Sequence, residues 1–310
     1  MKGIRIGAIL AVVVIGLGGT WHYYTARETI PEESDFVIDL AALRASARSI
    51  PGPLPERINH QAVARASLPR AAVFAGESFD PHPMLHGVYQ IVYPEGYLLV
   101  DACVGRSAFE AQMGGEDSRY DDDAFEIVAR ALANARAIVL THEHFDHMQG
   151  LAHVDDPIGF ATRLVVNRAQ VENPQTAEFL PAALIDAMEP FESTGLRAIA
   201  PGVVLIAAPG HSPGSQIVYV RLASEVEYLL IGDVAWHMDA LRELHYRPRL
   251  VTDLFLGEDR AAVMAQFRTL HELLDTPGLE IVASHDIDQR RALVQAGKLG
   301  DGLEAPALPR

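Results

Sequence analysis

The chain has 310 residues, of which 49% are hydrophobic and 21% charged. That is enough apolar material for a sizeable core, which excludes wholesale disorder, and the length suits one large domain or two ordinary ones. Lys+Arg number 25 against 41 Asp+Glu, a net charge of −16; so acidic a surface repels polyphosphate and argues against nucleic acid as a partner. Cys103 is the single cysteine, so an intrachain disulfide and a thiolate-based zinc cluster are both excluded. Any metal site has to use carboxylates and the 13 histidines.

At the start of the chain, Lys2 and Arg5 precede the apolar run Ile6–Leu17, which Gly18, Gly19 and Thr20 follow. A basic start before a short apolar stretch is the pattern of an export signal. The run is shorter than the roughly 20 residues that span a bilayer. Extended from Ile4 to Trp21, with Arg5 snorkelling to the headgroups, it comes close. Trp21, Tyr23 and Tyr24 then fall where an interfacial aromatic belt sits. No Ala-x-Ala cleavage site is present, and Gly16-Leu17-Gly18 is a weak substitute. Residues 1–24 are therefore expected to form a hydrophobic helix that anchors the chain in the membrane, with a cleaved signal as the alternative. Either way the body is exported: anchored on the extracytoplasmic side, or periplasmic or secreted after cleavage.

Residues 25–69 are punctuated by Pro31, Pro51, Pro53 and Pro55 and are expected to be a linker and lead-in, with a short strand at Phe36–Ile38 and helical turns at Leu40–Ala47. From about residue 70 to 300, strand-like and helix-like segments alternate. Gly87–Tyr93 and Tyr97–Val100 are β-rich and joined by Pro94-Glu95-Gly96, a hairpin signal. Asp123–Asn134 carries apolar residues at helical spacing. Short strands are expected at Ala137–Leu140 and Leu164–Val166, and a helical insertion over 173–195 that could cover a pocket. Val203–Ala207, Gln216–Val220, Tyr228–Ile231 and Ile281–Ala283 are predicted strands, and Ala261–Leu274 an amphipathic helix. Helices interleaved with strands imply layered α/β packing in one domain.

Directly after the strand at Ala137–Leu140 comes Thr141-His142-Glu143-His144-Phe145-Asp146-His147. In an extended segment His142 and His144 point the same way, and a turn after them lets Asp146 and His147 face a second point nearby. Imidazole and carboxylate suit zinc and, less selectively, iron or manganese.

This motif resembles the H-x-H-x-D-H signature of the metallo-β-lactamase-fold superfamily. Further parts of that pattern follow predicted strands in the expected order: Pro209-Gly210-His211-Ser212-Pro213-Gly214, Ile231-Gly232-Asp233 and Ser284-His285-Asp286, with Leu98-Leu99-Val100-Asp101 ahead of them. The resemblance implies a four-layer αββα sandwich over residues 70–300 and two metal positions. The first would be held by His142, His144 and His211, the second by Asp146, His147 and His285, with Asp233 bridging both. A bridging Asp is similar to the lactonase and glyoxalase II branches rather than to true β-lactamases. Two Zn²⁺ per chain are expected, with iron or manganese as substitutes.

The function so implied is a dinuclear zinc-dependent hydrolase that uses a metal-bridging hydroxide on a small ester, lactone or thioester. Asp146 would orient the nucleophile and pass a proton to the leaving group. The alternatives are a mononuclear iron dioxygenase of the same fold and a membrane-tethered, non-catalytic metal-binding module. Related lactonases carry Tyr three residues after the bridging Asp; here Trp236 stands there, and its indole donates a hydrogen bond but is no phenol-like acid. Asp101 is expected to hold the metal loop, Cys103 to be an inert buried thiol, and His153 and His237 to support the site or the fold. His22, His60, His82, His86, His245 and His271 match no motif.

Overall fold

The computed structural model describes residues 16–153, 156 and 158–304. Its strands are β1 (Arg57–Pro69), β2 (Pro81–Tyr93), β3 (Gly96–Val100), β4 (Arg119–Tyr120), β5 (Ala137–Val139), β6 (Leu164–Val165), β7 (Leu196–Ala200), β8 (Val203–Ala207), β9 (Gln216–Arg221), β10 (Glu227–Leu230), β11 (Leu279–Val282) and β12 (Gly300–Asp301). One sheet runs β12-β1-β2-β3-β5-β6, with β4 paired to β1; the other runs β11-β10-β9-β8-β7. β1, β2 and β3 form an antiparallel meander, and β3, β5 and β6 are mutually parallel. In the second sheet β7 to β10 are antiparallel and β11 adds in parallel to β10.

Period-two alternation sends successive side chains of each strand into different cores. Leu98, Val100 and Val139 of the first sheet meet Val203, Leu205, Val218, Val220 and Leu230 of the second in a central core. Leu99 and Ile138 point the other way, onto Ala124, Val128, Ala131 and Leu132 of the helix Asp122–Asn134. Val204, Ile206, Tyr219 and Leu229 point outward from the second sheet onto Val263, Phe267 and Leu270 of the helix Arg260–Glu272. The two sheets thus share a core and each carries helices on its outer face. Asp121 and Asp259 cap those two helices, accepting from the backbone N–H of Ala124 and Ala262.

Several expectations need correction. The lead-in expected over 25–69 is largely built into the fold: β1 pairs with β2 along its length, and Ile30, Ile38, Leu43 and Ala47 are buried against the second sheet. β1 escapes the sequence pattern because Asn59, His60, Ala64 and Ala66 share its buried positions with Ile58 and Val63, leaving no apolar alternation to read. Phe36–Ile38 is not a strand, whereas Leu40–Ala47 is a helix capped by Asp39. Of the expected N-terminal hydrophobic helix and membrane segment, residues 1–15 lie outside the described residues, and 16–25 are helical. No helix among the described residues is long and apolar enough to cross a membrane.

Candidate metal centre

The chemistry-bearing side chains all follow strand ends. His142–His147 lie beyond β5, His211 beyond β8, Asp233 beyond β10 and His285 beyond β11. Because β8, β10 and β11 run in the same direction, the last three emerge at one end of the second sheet. The loop after β5 is joined to them: Gln216 N–H donates to the Thr141 carbonyl at 2.9 Å. Gly232, at φ 53, makes the turn out of β10, and a Cβ there would stand 3.1 Å from Thr141 Cβ.

Two groups of ligand-type atoms result, each mutually within 4.8 Å: His142, His144 and His211, and Asp146, His147, Asp233 and His285. All seven side chains are buried. Asp233 links the groups with its two oxygens. Oδ2 lies 3.5 Å from His211 Nε2 and 3.9 Å from His142 Nε2; Oδ1 lies 3.0 Å from His285 Nε2 and 3.3 Å from His147 Nε2. His144 turns Nδ1 to the cluster, 2.9 Å from His211 Nε2.

In His142, His147, His211 and His285 the other ring nitrogen is held by a neighbour, which fixes ring orientation. Asp101 Oδ2 is 2.8 Å from His147 Nδ1, and Asp101 Oδ1 accepts from Thr141 N–H at 2.7 Å. Thr141 Oγ1 sits 3.1 Å from His142 Nδ1. Glu258 Oε1 is 2.5 Å from His211 Nδ1, and His285 Nδ1 donates to the Leu85 carbonyl at 2.7 Å. Glu143, inside the motif but turned away from it, accepts from Ser212 Oγ, Gly214 N–H and Asn173 Nδ2. It ties the His211 loop to the His142 loop.

Electrostatics follow this packing. Burial pushes the Asp233 carboxyl up, but His285, His147 and His142 more than reverse that and hold it well below the usual carboxylate range. Burial lowers His144 to about 3, aided by His211. His147 goes the other way: burial disfavours its cation, yet Asp146, Asp233 and Asp101 raise it well above the ordinary value.

A cavity of about 510 Å³ opens beside the cluster. His144, Asp146, Asp233 and His285 form its polar floor; Leu68, Met84, Met113, Phe145, Phe179 and Leu256 form apolar walls. Phe179 and Gln175 come from the 173–195 excursion, which therefore contributes to the pocket. Trp236 also lines it, with Nε1 donating to Asp233 Oδ2 at 2.7 Å.

Of the accessory residues, Cys103 is buried and burial pushes its thiol up to about 12, as befits an inert side chain. His153 pairs with Gln149, and His237 Nδ1 accepts from Asp239 N–H, both away from the cavity. No sequence motif marks Arg247, Glu258 or His86. Glu258 lies 47 residues from the histidine it orients, and no local spacing marks it.

The donor set suits a metal. His142 Nε2, His147 Nε2 and Asp233 Oδ1 are buried without any hydrogen-bond partner, a costly state for polar atoms unless a cation satisfies them. Imidazole and carboxylate without thiolate suit zinc, iron, cobalt or manganese.

Comparison with known proteins agrees with this geometry. An N-acyl homoserine lactonase from a Bacillus species is 26% identical over 156 residues, 50% of this chain and 57% of that protein. The Bacillus cereus N-acyl homoserine lactonase is 24% identical over 155 residues, with the same shares. The match thus spans little more than half the length of these relatives. Among solved structures, a quorum-quenching N-acyl homoserine lactone lactonase superposes with a TM-score of 0.60 at 21% identity, covering 77% of this chain and 95% of that one. A dizinc quorum-quenching lactonase superposes with a TM-score of 0.53 at 12% identity, covering 86% and 92%. At such identities the structural likeness is one of fold. The family profile described as the metallo-beta-lactamase superfamily matches residues 87–285, a stretch that holds all seven residues of the two clustered groups, and the chain belongs to that superfamily.

Proposed function

We propose that the protein is a dinuclear metal-dependent hydrolase of a small lactone carrying an apolar acyl chain, with esters and thioesters as related substrates. The observation that carries this is the placement of Asp233, whose Oδ2 faces His142 and His211 while Oδ1 faces His147 and His285. His142, His144, His211 and Asp233 would hold one ion; Asp146, His147, His285 and Asp233 would hold the other. When bound, the ion pair supplies hydroxide near neutral pH and polarises the substrate carbonyl. Zinc is the ion proposed.

The chain's own residues do the rest. The apolar walls pack the acyl chain and exclude water from the reacting ester. Asp146, in the cavity floor, would accept the hydroxyl proton of the tetrahedral adduct on its carboxylate and return it to the departing alkoxide as the C–O bond breaks. Trp236 donates to Asp233 and so fixes the bridging carboxylate rather than acting as an acid. The second complete group disfavours a one-iron dioxygenase, and the open cavity disfavours a non-catalytic module. Export of the body, on the strength of Lys2, Arg5 and the run Ile6–Leu17, belongs to the same proposal, and cell fractionation tests it.

Elemental analysis of protein purified without added metal, followed by a panel of lactones, thioesters, β-lactams and phosphodiesters, tests the whole. Two zincs per chain and lactone turnover are expected. His142→Ala and Asp233→Ala should lose both turnover and metal; full activity at full metal content in either variant refutes the site.

A further inference from the structure

Leu17, Trp21, Tyr23, Phe79, Leu254 and Phe255 are all large, apolar and exposed, and the fold gathers them beside the cavity mouth. Exposed apolar surface in one continuous piece marks a binding face. We propose that this side of the molecule docks on a lipid bilayer and lays the cavity mouth against it. The proposal goes beyond the hydrolase reading, and its test needs no turnover.

The face is continuous. Leu17 and Trp21 stand one turn apart on the helix over 16–25 and share a side. Trp21, Phe79 and Val251 line a groove of about 480 Å³. Tyr23 lies under the Arg249 guanidinium, 4.8 Å from its ring centroid. Leu254 and Phe255 follow on the turn Thr252–Leu256, and Phe255 lines the metal cavity. On the other side Pro69 lines the groove and Leu68 the cavity. Groove and cavity thus share two stretches of chain as walls, 68–69 and 251–256.

Three observations make the occupant lipid. First, the charges here are matched. Glu28 pairs with Arg249 at 2.5 Å and with Arg260 at 2.6 Å, and Arg70 pairs with Glu77 at 3.3 Å. In a chain of net charge −16 this side can therefore approach a bilayer without repulsion, and what holds it there is apolar contact rather than charge. Second, Trp and Tyr are the side chains of the membrane–water interface. Third, the apolar run Ile6–Leu17 leads directly into the helix that carries Trp21 and Tyr23. That helix is locked to the body, because Arg27 Nη2 donates to the Glu243 carbonyl at 2.6 Å and Glu28 holds Arg249 and Arg260. A run that seeks lipid therefore delivers Leu254 and Phe255 to the same surface. Docking of this kind needs no spanning helix, and none is found among the described residues.

The test uses the full chain, whose two tryptophans are Trp21 on the face and the buried Trp236. Trp21→Phe leaves Trp236 as a fixed background, into which Phe79→Trp, Leu254→Trp or Val37→Trp is placed. Val37 is the control: it is exposed, and the preceding Phe36 is held by Thr269, roughly 13 Å along the helix Arg260–Glu272 from Arg260. Each variant is mixed with phosphatidylcholine vesicles brominated on their acyl chains, and circular dichroism checks that it folds. Emission at positions 79 and 254 should fall at least about twofold while Val37→Trp changes by less than about a tenth, as for a face sunk into the headgroup boundary. The quenching should persist in about 0.5 M salt, since matched charges leave nothing to screen. Quenching of wild-type Trp21 with none at 79 and 254 would mean that the apolar run alone meets lipid, and would overturn the proposal. Equal quenching at all three positions, or quenching that salt abolishes, would overturn it too. So would a vesicle-free dimer in sedimentation that shields positions 79 and 254, because a second copy would then be the occupant.

Discussion

Glu258 grips His211 from behind: its Oε1 lies 2.5 Å from His211 Nδ1, while His211 Nε2 faces Asp233 Oδ2 at 3.5 Å. Arg247 closes the circuit, with Nε 2.9 Å from Glu258 Oε1 and Nη2 donating to the Asp233 carbonyl at 2.7 Å. One buried arginine thus braces both His211, through Glu258, and the backbone of Asp233. Glu258→Gln should weaken the first ion by about 10–100-fold, measured by chelator competition. Half of a buried ion pair is lost, so metal-free stability at neutral pH should fall by roughly 3 kcal/mol.

The same pair sets an acid limb. Burial raises the Glu258 carboxyl, but Arg247 and His211 outweigh burial and hold it at about 2, below its ordinary 4.5. A depressed folded pKa means that this stabilisation is complete above pH 4.5 and is lost as pH falls towards 2. Urea unfolding in the presence of chelator should show the gap between wild type and Glu258→Gln narrowing across that window. A constant gap from pH 6 to pH 3 would exclude the coupling.

Asp101 combines strain with orientation. It directly follows β3 at φ 66, a left-handed conformation uncommon for residues other than Gly, Asn and Asp, and from there its carboxylate reaches His147 and Thr141. Asp101→Asn should keep the backbone and weaken the second ion by about 10–100-fold. Asp101→Ala should do the same and also lower metal-free stability by a further ~1–2 kcal/mol, read from thermal unfolding.

What the sequence disclosed and what it hid divide along physical lines. His142, His144, Asp146 and His147 are legible because they sit in one short loop, where spacing alone limits geometry. The strands around them are legible because their apolar residues alternate or run together. β1 is hidden by Asn59, His60 and its alanines, buried polar or small residues that carry no period. Glu258, Arg247 and His86 are hidden for another reason: Glu258 and His86 meet partners dozens of residues away and Arg247 meets Asp233 and Glu258 across 14 and 11 residues, so only the fold brings them together.

Gly232 tests the turn that presents Asp233. Its φ of 53 and the 3.1 Å approach of an added Cβ to Thr141 Cβ leave no unstrained place for a side chain. Gly232→Ala should cost about 1–2 kcal/mol in metal-free stability. Because Thr141 contacts His142 and Asp233 faces both groups, loss of bound metal should accompany it. Wild-type stability and metal content together would show that the turn adapts freely.

The lip of the cavity offers a test of substrate class that leaves the metal untouched. Phe255 and Leu256 line the cavity, and Phe255 is 78% exposed, so it contributes little to the core. Both follow from a π-helical turn at Thr252–Leu256 that Gly257 terminates at φ 69. If an acyl chain lies against this lip, each methylene it shelters is worth about 0.8 kcal/mol. Phe255→Ser should then raise KM for a decanoyl lactone several-fold, leave KM for a butanoyl lactone within twofold, and leave thermal stability and metal content unchanged. The ratio between the two substrates is the decisive readout, because a general defect would move both. Equal shifts for short and long chains would place the acyl group elsewhere in the cavity, against walls such as Phe179 and Met113.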